Sequence, residues 1–282
     1  FKVEGSFDLL LLAGDNADAY VSKFPAEQNH SLMIGYTRLL PLFDTRKLYL
    51  SLFFDRFTFT LGRQIVNYGV GHVFSPVDCF TAVELQDAGL SRKGSDIARI
   101  QIPLGDLAGI EGVTTLLRTM TDNISAVKIF GHTFNYDWSL TGIYKRPQDE
   151  VLLGLACKGD LLGMGVHGEL VRHYGLSSGS HYFEGMAGAD YSFYEGKLLV
   201  LAEYYYNSNP IDPNTLTSQE LLSLDRSFLG KHYLFFQTGY ILDEIRSLAL
   251  HGIYNPAEKS WTGTLQFFYN IFQNTDLLLY TH

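Results

Sequence analysis

Between Phe134 and Lys145 the chain divides by parity: Phe134, Tyr136, Trp138, Leu140, Gly142 and Tyr144 share one side, and Asn135, Asp137, Ser139, Thr141, Ile143 and Lys145 share the other. Successive side chains of a β-strand point to opposite faces, so this period of two predicts a strand with one apolar and one polar face. The same split sets Leu162, Met164, Val166 and Leu170 against His167, Glu169 and His173. Near the end it sets Trp261, Leu265, Phe267 and Tyr269 against Thr262, Thr264, Gln266 and Asn270. Two such segments at 47–66, one carrying Leu48, Leu50 and Leu52 and the other Phe57, Phe59 and Leu61, flank a tight turn at Asp55-Arg56. That hairpin is the unit the chain repeats.

Strand candidates fall at 2–13, 29–39, 47–54, 57–66, 92–104, 109–119, 124–131, 134–145, 150–158, 161–174, 180–193, 197–207, 231–241, 246–255, 260–270 and 275–281. No helix-period stretch interrupts them, which argues against helical solenoids and Rossmann-type folds. From Asp55 onward, short links at Asp55-Arg56, Gly105-Asp106, Gly131-His132, Gly159-Asp160, Glu195-Gly196, Asp243-Glu244 and Gln273-Asn274 take turns with longer ones, the largest being 67–91 and 208–230. This predicts an all-β fold: one transmembrane antiparallel up-and-down β-barrel of about 16 strands (14–18), spanning 1–282 as a single domain. A soluble β-sandwich or closed barrel would alternate too, but its strands usually run about 5–6 residues, and several runs here are longer than 134–143. The N-terminal part fits worse. Counting back from Asp55 puts the 14–28 link on the short-turn side, so a strand there is misplaced or missing.

Composition agrees with this reading. With 46% hydrophobic and 18% charged residues the chain is too apolar for disorder and too polar for a helical membrane protein. No apolar run reaches the roughly 18 residues of a membrane helix, whereas a barrel strand needs only about 9–11. The 18 Tyr, 20 Phe and 27 Gly favour strands, interfacial aromatics and tight turns. A net charge of -9 speaks against a nucleic-acid partner. The chain starts at Phe1 with no basic-then-apolar leader and stops within a strand, which suggests processing or trimming at either end. Cys79 and Cys157 fall at opposite ends of the expected barrel wall, so two free thiols are expected.

Candidate chemistry is sparse. There is no phosphate loop, zinc-type Cys pair, HExxH or GxSxG, and no Ser or Asp nucleophile stands beside a His by spacing. The expectation is therefore a chain that is not an enzyme and has no cofactor. His167, Glu169 and His173 share a strand face as metal ligands could, but side chains lining a wet lumen are the simpler reading, and no metal site is assigned. Arg63 shares the parity of Phe57, Phe59 and Leu61, so a bulge at Gly62 would have to turn it inward, or it snorkels at headgroup level.

Leu61-Gly-Arg-Gln-Ile65, followed by Gly69, Gly71 and Pro76-Val-Asp78, resembles a pattern of Gram-negative outer-membrane porins of the alginate-export type and related families. The resemblance covers some 30 of the 282 residues, and Tyr68 stands where those families often carry Trp. It implies a monomeric barrel in the bacterial outer membrane that passes a polar or anionic solute, often a saccharide.

The function expected is passive diffusion of small hydrophilic solutes through a porin-like channel. The alternative is a plugged surface barrel that binds glycan or a partner through its long loops. The partners expected are the lipid or lipopolysaccharide of the outer membrane and the solutes themselves. The 67–91 loop is long and mixes Val70, Val73, Phe74, Phe80 and Leu85 with carboxylates, which suits a loop folded into the lumen. Pore-lining or constriction residues expected by parity and loop position are Arg63, Asp78, Glu84, Asp87, Arg99, Gln101, Lys128, Asp137, His167 and Glu169. Lys47, Tyr49, Glu184, Asp190 and Glu203 also face inward by parity. Asp78 is expected to meet Arg63 or Arg99 and form a polar gate.

Overall fold

The computed structural model describes residues 1–13, 32–34, 37–81, 90, 92, 94–116, 123–212, 215, 228–272 and 275–281. Its strands are β1 (Lys2–Ala13), β2 (Leu32–Ile34), β3 (Thr37–Phe53), β4 (Thr58–Gln64), β5 (Ser95–Pro103), β6 (Ala108–Thr115), β7 (Ile124–Thr133), β8 (Tyr136–Lys145), β9 (Glu150–Leu161), β10 (Met164–Gly175), β11 (His181–Phe193), β12 (Leu198–Asn207), β13 (His232–Ile241), β14 (Arg246–Asn255), β15 (Ser260–Phe272) and β16 (Thr275–Thr281). All belong to one antiparallel sheet in which β3 to β16 follow one another in chain order, β1 flanks β3, and β2 pairs only with the start of β3. Among the described residues β1 and β16 form the two edges of the sheet.

Three expectations are corrected here. The segments read as strands 29–39 and 47–54 do not both stand in the wall: β3 runs unbroken from Thr37 to Phe53, with Pro41 opposite Leu11 of β1. Pro41 is tolerated because β4 reaches only Leu48–Phe53 of β3, so on that side no ladder needs its missing N–H. The merger removes one strand, and the link from β1 to β3 then falls on the long-loop side, which cures the misfit at the N-terminus. Second, the turn placed at Gly131-His132 lies at Phe134-Asn135, both with positive φ (54° and 65°). Third, the turn placed at Gly159-Asp160 lies at Leu162-Gly163, with φ of 54° and 82°. Two-residue links of this kind match the twist of the strands they join. Gly131 and Gly159 serve a different end: a Cβ at either would strike the cross-strand Trp138 or Tyr136 ring, so each makes room for an aromatic neighbour.

The faces separate as the alternation predicts. Leu140, Leu153, Leu155, Leu170, Leu234, Phe236, Leu250 and Leu265 are exposed on one face, while Ser139, Thr141, Glu169, His173, Glu203 and Thr264 are buried on the other. Exposed Tyr144, Tyr174, Tyr254 and Trp261 lie next to the longer links, and exposed Phe54, Trp138, Tyr191, Phe193 and Phe272 lie towards the short turns. An apolar belt between two aromatic girdles is the outer surface of a membrane barrel. Neither cysteine forms a disulfide: Cys157 is on the exposed face of β9 and Cys79 in the link after β4.

Candidate functional site: a strap across the inner wall

After Gln64 the chain does not leave the barrel. Val66, Tyr68, Val73, Phe74, Val77 and Phe80 are among the most buried side chains of the molecule. They fill two clusters on the inner face. In one, Val66, Tyr68, Val77 and Phe80 pack on Ile97, Val113, Ala126, Ile143, Leu152 and Val171 of β5–β10. In the other, Val73 and Phe74 pack on Met186, Leu201, Tyr205 and Phe235 of β11–β13. The inward positions of a water-filled lumen are polar, so the apolar residues interspersed on this wall form a seat for residues 65–81, the strap.

Two glutamates hold the strap by its backbone. Glu169 of β10 accepts the N–H groups of Val70 (2.5 Å), Gly71 (2.9 Å) and Val77 (3.2 Å) and the Ser75 hydroxyl (3.1 Å). Glu203 of β12 accepts the N–H groups of His72 (2.6 Å), Val73 (3.0 Å) and Phe74 (3.0 Å), and lies 3.0 Å from His167 Nε2. Lys128 of β7 donates to the Tyr68 carbonyl at 2.8 Å. Successive N–H groups converging on one anion form the concave donor sites that backbone turns make for anions, here with the protein's own carboxylates as occupants. At its base the strap is closed by Thr81 Oγ1 donating to the Val66 carbonyl (2.8 Å) and by Ser95 donating to the Phe80 carbonyl.

The expected gate pairing is corrected. Asp78 meets Arg92, which also donates to the carbonyls of Thr81 (2.9 Å) and Gly71 (3.4 Å). Arg99 binds Glu111 of β6 at 2.5 Å, and Gln101 joins the same carboxylate at 2.9 Å. Arg63 stands directly opposite Leu48 and Asp96, and residues opposite each other in an antiparallel pair share a face, so it keeps the outward parity of Leu61. Its guanidinium pairs with Asp96 through Nε (3.0 Å) and Nη2 (2.8 Å). Glu84 and Asp87 lie outside the described residues.

Beside the strap a cavity of about 680 Å³ opens towards the short turns; Asn67, Val70, Arg99, Gln101, Glu111, Lys128, His132 and Asp137 are among its lining. It therefore gathers four of the residues expected from parity, Arg99, Gln101, Lys128 and Asp137. His167, Glu169 and His173 share the inner face but not a common ligand point, because His173 pairs with Glu150 at 3.1 Å and the other two serve the strap. Sequence reasoning missed Arg92 and Glu111. Glu203 was legible only as an inward carboxylate, though its position between inward Leu201 and Tyr205 signals an anion that needs a partner.

Burial pushes the Asp78 carboxyl up to about 7, against the pull of Arg92 and the Thr81 N–H and with the negative charge of Glu169 adding to the rise. Once the strap leaves the wall, Asp78 returns to the ordinary carboxyl range, so release frees a proton between about pH 4 and 7. This contribution to seating is complete below that window and is lost as the pH rises through it. Chymotrypsin cleavage at Tyr68, Phe74 and Phe80 should accelerate across that window in the native chain, and Asp78→Asn should flatten the rise. An unchanged slope in Asp78→Asn would exclude Asp78 as the group responsible.

No family model matches the sequence, and no curated protein is significantly similar to it. Solved structures do match the fold. OccK10 (OpdN) of Pseudomonas aeruginosa aligns with a TM-score of 0.52 at 10% identity, over 86% of this chain and 79% of that one. Outer-membrane expressed OmpT of Vibrio cholerae gives 0.48 at 9% identity, over 83% and 77%. A loop L8 deletion mutant of the same OmpT, an outer membrane protein, gives 0.49 at 10% identity, over 98% and 99%. The chain has the fold of an outer-membrane β-barrel, and its apolar belt and aromatic girdles are those of a barrel set in a membrane. The alginate-export motif gains no support beyond this general fold.

The expectation that the chain is not an enzyme does not stand. A likeness of fold at 10% identity does not divide channels from enzymes built on the same barrel. The premise of that expectation also fails, since the fold brings Asp190 to within 4.8 Å of His72 and His167 from positions far apart in the chain.

Proposed function

We propose that the chain is a channel for small hydrophilic solutes whose path runs past the strap through the cavity lined by Arg99, Gln101, Glu111, Lys128 and Asp137. The observation that supports this reading is the strap itself. Its apolar side chains seal against one part of the wall, while the face it leaves beside the cavity is polar and carries charges of both signs. A narrowed polar passage between low-dielectric walls selects by charge as well as by size. Saccharides and other small polar solutes are the proposed class, because the lining sets the hydrogen-bonding Gln101 and Asn67 beside charges of both signs.

Planar-bilayer conductance and liposome swelling with neutral, anionic and cationic sugars test the proposal. Arg99→Ala should shift selectivity towards cations by several-fold without unfolding the barrel, since it leaves Glu111 facing the cavity with Gln101 as its remaining partner. A folded chain that gives neither conductance nor swelling would support instead the plugged surface barrel.

A further inference from the structure

A second cluster of chemistry lies on the other side of the strap, where His72 stands over β10 and β11. One ring nitrogen each of His72 and His167 and a carboxylate oxygen of Asp190 lie within 4.8 Å of one another. The three come from separate parts of the chain. His72 is at the tip of the strap, its backbone N–H fixed on Glu203 and its side chain exposed. His167 and Asp190 face inward from paired strands, two rungs apart: Gly165 stands opposite Asp190, and His167 opposite Gly188. The two imidazoles meet edge to face with centroids 5.4 Å apart.

From this geometry we infer a binding site for a transition-metal dication of the zinc class, formed by His72, His167 and Asp190 and joining the strap to the wall. Two imidazoles and one carboxylate make a borderline donor set that suits Zn²⁺, Co²⁺ or Ni²⁺ and disfavours Ca²⁺ and Mg²⁺, which take oxygen ligands. Three protein ligands leave a coordination position open to the lumen. The wall supplies the outer support that such sites use: Glu203 accepts from His167 Nε2 at 3.0 Å, which orients the ring and leaves Nδ1 with its lone pair. Gly188 makes room for that ring, since a Cβ there would lie 2.3 Å from His167 Nε2. Ligand atoms around a tetrahedral dication bound at about 2.0–2.2 Å lie about 3.3–3.6 Å from each other, so closure draws the three groups together by up to about 1 Å, mostly through a rotation of the His72 side chain. An exposed side chain on the strap can make that adjustment.

The site would act as a third clamp on the strap, and it stands whether or not the barrel conducts, because binding is read without a bilayer. Co²⁺ titration of the detergent-solubilised chain, followed by visible absorption, should give ligand-field bands that saturate at one ion per chain and disappear on addition of Zn²⁺. His72→Ala and Asp190→Asn should each weaken Co²⁺ binding at least about tenfold. His72→Ala keeps the backbone N–H that Glu203 holds, so the strap stays seated, and heat-modifiable migration on gels verifies the fold of each variant. Zn²⁺ should also slow chymotrypsin cleavage of the strap in the native chain and have no such effect in His72→Ala. Absence of one-equivalent binding in the native chain, or its persistence in the double variant His72→Ala/Asp190→Asn, would overturn the site.

Discussion

Glu203→Ala should release the strap from the inner wall while the barrel stays folded. The substitution removes the acceptor for three consecutive N–H groups, those of His72, Val73 and Phe74, and leaves His167 without its carboxylate. Hydrogen bonds to a charged group contribute about 1.5–3 kcal/mol each, and buried donors left unpaired cost about 1–3 kcal/mol. The combined loss exceeds what packing of Val73 and Phe74 alone can offset, since burial of one such side chain contributes about 1.5–3 kcal/mol. Chymotrypsin should cut at Phe74 at least about tenfold faster, the ratio that about 1.4 kcal/mol of loosening produces, and single-channel conductance should rise. Glu203→Gln should fall between, because one oxygen still accepts while the amide NH₂ opposes the strap's own donors. Wild-type resistance to cleavage in a folded Glu203→Ala barrel would show that the carboxylate is not what holds the strap.

Gly71→Ala should do comparable damage by adding a single carbon. A Cβ at this position would lie 1.8 Å from the Phe74 carbonyl oxygen and 2.4 Å from Met186 Cε. The methionine can move, but the carbonyl belongs to the tight turn whose N–H groups sit on Glu169 and Glu203, so the whole tip has to shift. Overpacking of this kind typically costs about 1–3 kcal/mol. Gly239→Ala, where nothing lies within 4 Å of an added Cβ, is the matched control and should behave as wild type. Equal protease resistance and equal heat stability in the two variants would sink the idea that close approach at Gly71 sets the strap's path.

The wall was legible in the sequence because a barrel writes itself into local alternation: the outward Trp138, Leu140 and Tyr144 and the inward Ser139, Thr141 and Lys145 follow from a period of two alone. Turn positions were less legible. Gly131 and Gly159 carry the usual mark of a turn, yet they make room for rings across the strand, while Phe134 and Leu162 take positive φ that their side chains disfavour. The site was legible by face and not by partner. Arg99, Gln101, Lys128 and Asp137 could be placed on one inner surface, but Asp78 with Arg92 and Arg99 with Glu111 are pairings that only the three-dimensional register decides. Gly69, Gly71 and Pro76-Val-Asp78 stood out as a pattern without a stated cause. The structure supplies one, since Gly69 would strike Ser75 Oγ and Glu169 if it bore a side chain, and Asp78 N–H bonds back to the Ser75 carbonyl around the Pro76-Val77 turn.

The clamps on the strap also impose an order in time. Val70 and Gly71 are 99 and 98 residues away from Glu169 in the chain, and His72 is 131 away from Glu203. The strap emerges early but its anchors do not exist until β10 and β12 have joined the sheet, whose own ladders from β3 onward connect chain neighbours. Closing loops of that span is entropically dearer than zipping adjacent hairpins, so the wall forms first and the strap docks last. On the proposed channel function, a newly inserted barrel should therefore pass through an interval of enlarged bore, visible as a transient high-conductance phase that decays as the strap finds its two glutamates.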